Sequence, residues 1–266
     1  MGLLVRDRNG RIPLKTESGF FNWDRIGGHF LTPGLLRAIM DPRKDGGGGE
    51  DIMRIYIVRH GETDGNTEGY FQGWTDDPLN EKGRELAAVT GRALSGIRFD
   101  RCISSPLSRA RETAEILLRE SGNGGVPIEL DDRAKEAHLG DWEHKKFRAG
   151  ACELDSGKVA LFFENPFLLG GFPGGETVRD VCRRTQSLLT ELLRDPENDG
   201  ATVLVTTHGF ATRAMLNALY DDPDDFWHGH VPYNCAVNVV EGKDGIGRLV
   251  EDDRIFYAYP KAFSGD

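Results

Sequence analysis

Arg59-His60-Gly61-Glu62-Thr63 follows directly on the run Ile52-Met53-Arg54-Ile55-Tyr56-Ile57-Val58, and His208-Gly209 follows directly on Thr202-Val203-Leu204-Val205-Thr206-Thr207. Short apolar runs that end in a histidine have the format of buried parallel strands, which deliver side chains to the sheet edge where ligands of open α/β sheets bind. Two histidines and an arginine at one edge suit a phosphoryl group. The planar guanidinium fork matches its oxygens, and a neutral imidazole nitrogen can attack phosphorus.

Elements able to position these groups are legible along the chain. Asn80 precedes a helical pattern to about Leu94, with Leu86, Val89, Ala93 and Leu94 on one side. Phe99 to Ser104 reads as a strand, and Ser105-Pro106 as the N-cap and first position of a helix through Arg119, which puts Arg109 in its first turn. Val126 to Leu130 is a short strand leading into Asp131-Asp132-Arg133-Ala134-Lys135-Glu136. Thr177 caps a helix with Val178, Val181, Cys182, Thr185, Leu188, Leu189 and Leu192 at helical spacing. A central strand at 202–207, a helix from about Phe210 to Leu219, and late strands at Val237 to Val240 and Ile255 to Tyr259 complete the series. Strands alternating with helices predict an α/β fold, a three-layer α/β/α sandwich around a mostly parallel sheet.

Two segments stand outside this alternation. Residues 1–50 read as an extension that ends in the Gly-rich linker Asp45-Gly46-Gly47-Gly48-Gly49-Glu50-Asp51, with a short helix from Pro33 to Met40 capped by Thr32. Its apolar face, Leu35, Leu36, Ile39 and Met40, needs a surface: the main domain at 51–266, a second subunit in a dimer, or the site entrance. The stretch 144–172 has no clean period yet carries Phe147, Leu161, Phe162, Phe163, Phe167, Leu168 and Leu169, and is expected to form a cap beside the site.

Composition narrows the partners. With 33 basic and 43 acidic residues the formal charge is -10, and the absence of a Lys/Arg-rich run argues against nucleic acid and against a polybasic membrane contact. Cys102, Cys152, Cys182 and Cys235 show neither C-x-x-C nor metal-ligand spacing, so reduced thiols in the core are expected. No apolar stretch approaches a membrane span, and Met1-Gly2-Leu3-Leu4-Val5-Arg6 does not read as a signal peptide, which together predict cytoplasmic residence.

The ordered set Arg59-His60-Gly61-Glu62-Thr63, Asn66, Gln72-Gly73-Trp74, Pro78-Leu79, Ser104 to Ala110, Glu136, Gly140-Asp141-Trp142-Glu143, Pro173 to Thr177 and His208-Gly209 closely resembles the phosphoglycerate mutase-like branch of the histidine phosphatase superfamily. The resemblance spans about Asp51 to Tyr259. It implies that His60 is the nucleophile that becomes phosphohistidine, its other ring nitrogen held by a backbone acceptor. Arg59, Arg109 and His208 would clamp the phosphate oxygens, with Asn66 as a neutral donor. Gln72, Gly73 and Gly209 would contact substrate, a turn-only role being the alternative. Glu136 corresponds to the proton donor, afterwards the base that activates water. Neither metal nor other cofactor is implied, since phosphoryl transfer asks mainly for positioning and charge neutralisation.

The same resemblance weighs hydrolysis against transfer. The mutases carry a lysine and an Arg-Arg pair in the insertion after the glutamate, and a tyrosine where Leu139 stands. Here the insertion offers Lys145, Lys146, Arg148 and Lys158 without such a pair. The expected activity is therefore hydrolysis of a small-molecule phosphomonoester, with a mutase-type phosphotransferase as the alternative sustained by Lys145 and Lys146. A non-catalytic phospho-ligand binding module is the third reading, opposed by the presence of the whole catalytic set. The apolar insertion suggests a substrate with non-polar or ring character.

Overall fold

The computed structural model describes residues 52–148 and 151–258. The expected helix at 33–40 and the Gly-rich linker lie outside them. Six strands form one sheet: β1 (Met53–Arg59), β2 (Arg101–Ser104), β3 (Ile128–Leu130), β4 (Thr202–Thr207), β5 (Val237–Lys243) and β6 (Ile246–Arg254), in the order β3-β2-β4-β1-β5-β6. The first four run parallel, while β5 and β6 are antiparallel at one edge. The helices are α1 (Asp64–Glu68), α2 (Glu81–Ala93), α3 (Ser108–Ser121), α4 (Ser156–Glu164), α5 (Pro166–Leu169), α6 (Val178–Arg194) and α7 (Gly209–Leu216).

Strand alternation divides the core. Ile55, Ile57, Val203 and Val205 meet Leu188, Leu189 and Leu192 of α6 and Met215 and Leu216 of α7. Tyr56, pointing to the opposite face, meets Phe99 edge-on at 5.5 Å, and α3 packs on the strands there. Each of these fully buried aliphatic side chains contributes about 1.5–3 kcal/mol of transfer free energy, enough together to fix the sheet's register. That register places the site. Arg59 pairs with Thr207 and Ser104 with Thr206, so β1, β2 and β4 end at one level and the residues that follow, His60, Ser105 and His208, emerge side by side.

Several expected boundaries move for identifiable reasons. The buried face of α2 is Gly83, Leu86, Ala87, Thr90 and Gly91 rather than one through Val89 and Ala93, because a Cβ at Gly91 would lie 2.7 Å from Glu120 Cβ and only a small residue lets α2 approach α3. Helix α3 starts at Ser108, not Pro106, and Ser105 is not its cap: Asp76 accepts from Ser108 N at 2.6 Å and serves the free amide from another loop. The last strand is Ile246–Arg254 rather than Ile255 to Tyr259. Asp244 and Gly245, at φ 53° and 77°, close a two-residue hairpin after β5, and the returning strand is a half-exposed edge whose polar composition hides it.

Within 144–172, α4 and α5 pack Phe162 and Phe167 inward. Phe162 lies among Phe71, Trp142, Phe172, Phe210 and Trp227, and Trp227 Nε1 donates to its carbonyl at 2.6 Å. This satellite core docks the insertion on Phe210 at the start of α7, which explains a bulky residue immediately after His208-Gly209. Most of the insertion's apolar residues are thereby used in packing; Phe163 and Leu168 remain exposed. No helix among the described residues is long and apolar enough to cross a membrane.

Candidate active site

His60 is buried at the end of β1, its own N–H donating to Thr207 O at 2.9 Å. Its ring Nδ1 lies 2.6 Å from Gly61 O, an acceptor only, so Nδ1 carries the proton and Nε2 keeps its lone pair. Burial holds the imidazole well below its usual pKa of 6.5, and the Arg109 and Arg59 guanidiniums push the same way. The Gly61 loop is itself pinned: Gly61 N donates to Thr113 Oγ1 at 3.0 Å, and that hydroxyl donates to Arg109 O at 2.7 Å. A Cβ at Gly61 would stand 2.5 Å from Gly83 O, so glycine is required where the loop crosses α2.

Around this imidazole the structure gathers the clamp residues expected from sequence, His208, Arg109 and Arg59. The His208 ring centroid is 5.1 Å from that of His60, and its Nε2 is 2.8 Å from Ser105 Oγ. Arg109 is fully buried, with Nη1 donating to Thr75 O and Nη2 to Gly73 O, both at 2.7 Å. The rival pairing of Arg109 with Glu112 or Glu115 does not occur; those carboxylates meet Arg84 and Arg111. Arg59 donates through Nη1 to Pro232 O. Arg59 Nε, Arg109 Nε and His208 Nδ1 are buried and find no hydrogen-bond partner among the described residues. Unpartnered buried guanidinium donors are costly unless a ligand satisfies them, and two beside a neutral imidazole suit an anion; His208 Nδ1 joins them as a donor in the tautomer in which Ser105 donates to Nε2.

Glu136 closes the site from the other side. Its Oε1 accepts from Ala137 N at 3.0 Å and Ala211 N at 2.9 Å, and its Oε2 from Phe210 N at 3.1 Å, which sets the carboxylate on the free amides at the start of α7. Burial raises its pKa above the usual 4.5, against the pull of those three N–H groups and of Arg109. A phosphate dianion nearby would raise it further by like-charge repulsion, the condition for a proton donor near neutral pH.

The secondary contacts are more varied. Asn66 stabilises the first turn of α1, its Oδ1 accepting from Thr63 N at 3.2 Å and from Asn234 Nδ2 at 3.1 Å. Gln72, with its amide oxygen toward the donors, accepts from Asn66 Nδ2 at 3.2 Å and donates to Asp77 at 3.3 Å. Gly73 serves through its backbone: its carbonyl holds Arg109, and a Cβ would strike Glu143 Oε1 at 2.3 Å. Gly209 permits close approach, since a Cβ there would stand 3.3 Å from Arg59 Nε. Arg213 is structural, paired with Asp252 at 2.8 Å. All four cysteines are free, and burial pushes the Cys102 and Cys235 thiols up to about 12. No group of three His, Cys, Asp or Glu side chains among the described residues is arranged to hold a metal.

Three further residues gain a place at the site only in three dimensions. Ser105 meets His208, Asn234 donates to His60 O at 3.1 Å, and Glu143 accepts from Gly73 N, Trp74 N and Leu139 N at 2.9, 2.8 and 3.1 Å. Glu143 thus braces the loop whose carbonyls hold Arg109. Its place in Gly140-Asp141-Trp142-Glu143 marked it in sequence, and Ser105 stood in Ser104 to Ala110 but was read as a helix cap; nothing local marked Asn234.

Neutral buried histidines have a measurable cost. His208, like His60, is held well below 6.5 by burial first and by Arg109 second. Below pH 6.5 the unfolded chain takes up protons there that the folded chain refuses, so the contribution present above 6.5 is lost as pH falls toward the depressed folded values. Glu136 has the opposite sign, favouring the fold below 4.5 and losing that contribution as pH rises through its raised value. Urea unfolding from about pH 7 to about pH 5.5 should show falling stability, with a shallower fall in His208→Gln; equal slopes would contradict a neutral buried His208.

The fold is that of a known α/β enzyme family. Residues 55–252 match the histidine phosphatase superfamily (branch 1), and the chain belongs to that family. It is 32% identical over 192 residues to the 2,3-bisphosphoglycerate-dependent phosphoglycerate mutase 2 of Gloeobacter violaceus, covering 72% of this chain and 87% of that protein. Among solved structures, YhfR of Bacillus stearothermophilus matches with a TM-score of 0.68 and 33% identity, over 76% of this chain and 97% of the other. A mycobacterial glucosyl-3-phosphoglycerate phosphatase matches with a TM-score of 0.64 and 26% identity, over 74% and 97% of the two chains.

Proposed function

We propose that this protein hydrolyses small-molecule phosphomonoesters through a phosphohistidine on His60, without a metal. His60 Nε2 attacks phosphorus, the ester P–O bond breaks, and Glu136 gives its proton to the departing oxygen. The resulting Glu136 carboxylate takes a proton from water as the water oxygen attacks phosphorus and the N–P bond breaks. Arg59 and Arg109 neutralise the phosphoryl oxygens, the role a metal fills in other phosphoryl-transfer sites, and His208 adds a neutral donor.

The observation that carries hydrolysis over transfer is the fate of the segment after Glu136. Leu139 is buried in the aromatic cluster, and Lys146 lies over the Tyr70 ring at 5.0 Å. Lys146 is thus engaged by an aromatic ring, and the insertion has no Arg-Arg pair, which supports hydrolysis over transfer. The likeness to a solved phosphatase supports the same reading, while the Gloeobacter relative's name keeps mutase activity as the second.

A panel of phosphomonoesters should release inorganic phosphate, with hydrolysis exceeding interconversion of the two monophosphoglycerates in the presence of the bisphosphate. Faster interconversion than hydrolysis would reverse the assignment. Binding of inorganic phosphate without turnover of any ester would point instead to a non-catalytic module.

A further inference from the structure

Arg184, in the second turn of α6, adds its charge to those that hold down the His208 pKa, but its five hydrogen bonds go to the chain behind the phosphate site. Its Nη1 donates to Arg133 O at 3.0 Å and Lys135 O at 2.7 Å, and its Nη2 to Glu136 O at 2.7 Å. The same guanidinium grips Glu176 through Nε to Oε1 at 2.7 Å and Nη2 to Oε2 at 2.8 Å. Glu176 in turn accepts from His138 N at 2.8 Å, two residues beyond Glu136. From the opposite direction Trp74 Nε1 donates to Glu136 O at 2.8 Å.

The segment 133–138 has no strand or α-helix to hold it after the turn at Asp132–Ala134. Backbone carbonyls gathered by one planar guanidinium replace the ladder that such a segment lacks. The segment's one chemically committed side chain is Glu136, whose carboxylate must reach Phe210 N and Ala211 N on α7. A shift of about 1 Å in a positioned acid is enough to cost about a hundredfold in rate.

We propose that Arg184, braced by Glu176, is the positioning residue for Glu136, fixing the backbone that aims the proton donor at the leaving oxygen. The role rests on the hydrolase reading above and sharpens it. It assigns Arg184 to the proton-transfer steps and not to phosphate capture, which belongs to Arg59, Arg109 and His208.

The two jobs separate by leaving group. An alkyl phosphate such as glycerol phosphate needs its leaving oxygen protonated, whereas 2,4-dinitrophenyl phosphate releases a stable phenolate that needs no acid. Phosphohistidine formation would be followed in single turnovers with both esters for the wild type, Arg184→Met, Arg184→Lys, Glu176→Gln and Glu136→Gln, with inhibition by inorganic phosphate as a check on the capture site. A positioned general acid is worth about 10²–10⁴-fold, so Arg184→Met should slow the alkyl ester by roughly ten- to a hundredfold and the dinitrophenyl ester by less than about threefold. Glu136→Gln should show the same pattern more strongly, Arg184→Lys and Glu176→Gln more weakly, with inhibition by phosphate not weakened in any of them. Equal losses on both esters, or weakened phosphate inhibition, would show a general structural role and overturn the positioning role alone. Failure of the wild type to form phosphohistidine from either ester would overturn the hydrolase reading and this role with it.

Discussion

His60→Ala should lower kcat for every phosphomonoester by roughly four to six orders of magnitude, the scale on which loss of a nucleophile acts in enzymes with a covalent intermediate. The size follows from the geometry. His60 combines a neutral imidazole, a proton fixed on Nδ1 by Gly61 O and a free Nε2 next to two buried guanidiniums. His208 is the nearest other imidazole, but its Nε2 is engaged with Ser105, so it offers no ready substitute. Inorganic phosphate should still bind the variant, because the Arg59, Arg109 and His208 donors remain. Activity within about a hundredfold of wild type would require another nucleophile.

Arg109 should also give a large loss, and by two routes. Loss of a preorganised donor to a developing phosphoryl charge costs about 10²–10³-fold in kcat. Arg109 also holds the carbonyls of Gly73 and Thr75, and each buried carbonyl left unpaired costs about 1–3 kcal/mol of stability. Arg109→Ala should therefore lose both activity and several degrees of Tm. Arg109→Lys is the informative variant, since one ammonium cannot serve two carbonyls and a phosphate at once. Its kcat/KM should fall at least about a hundredfold, and a near-wild-type kcat/KM would show that the phosphate is held without Arg109.

How much of this was legible in sequence depends on where each signal resides. His60 and His208 announce themselves because each directly follows a short, mostly apolar strand, and parallel register then makes neighbours of residues 148 positions apart. Arg109 was visible from its place near a helix start, although the cap was misplaced: Ser105 turns to His208, and Asp76, brought in from another loop, serves the helix. The hairpin at Asp244-Gly245 carried a local turn signal that the weak hydrophobicity of β6 obscured. Phe162 could not be assigned from its surroundings in the chain, because the pocket it fills is built from Phe71, Trp142, Phe210 and Trp227, all distant in sequence. Arg184 was invisible as a site residue for a related reason. On α6 it is one polar position among several, and only folding brings the 133–136 carbonyls to it.

The central claim is that phosphate is transferred to one nitrogen of one histidine. Rapid quenching of the protein with a 32P-labelled phosphomonoester, followed by peptide mapping under alkaline conditions that preserve phosphoramidates, tests it directly. Label should appear on His60 at Nε2, be acid-labile, and vanish in His60→Ala, because Gly61 O keeps Nδ1 protonated and turned away. Label at Nδ1, on another residue, or an ester hydrolysed at full rate with no labelled histidine under any quench would contradict the account.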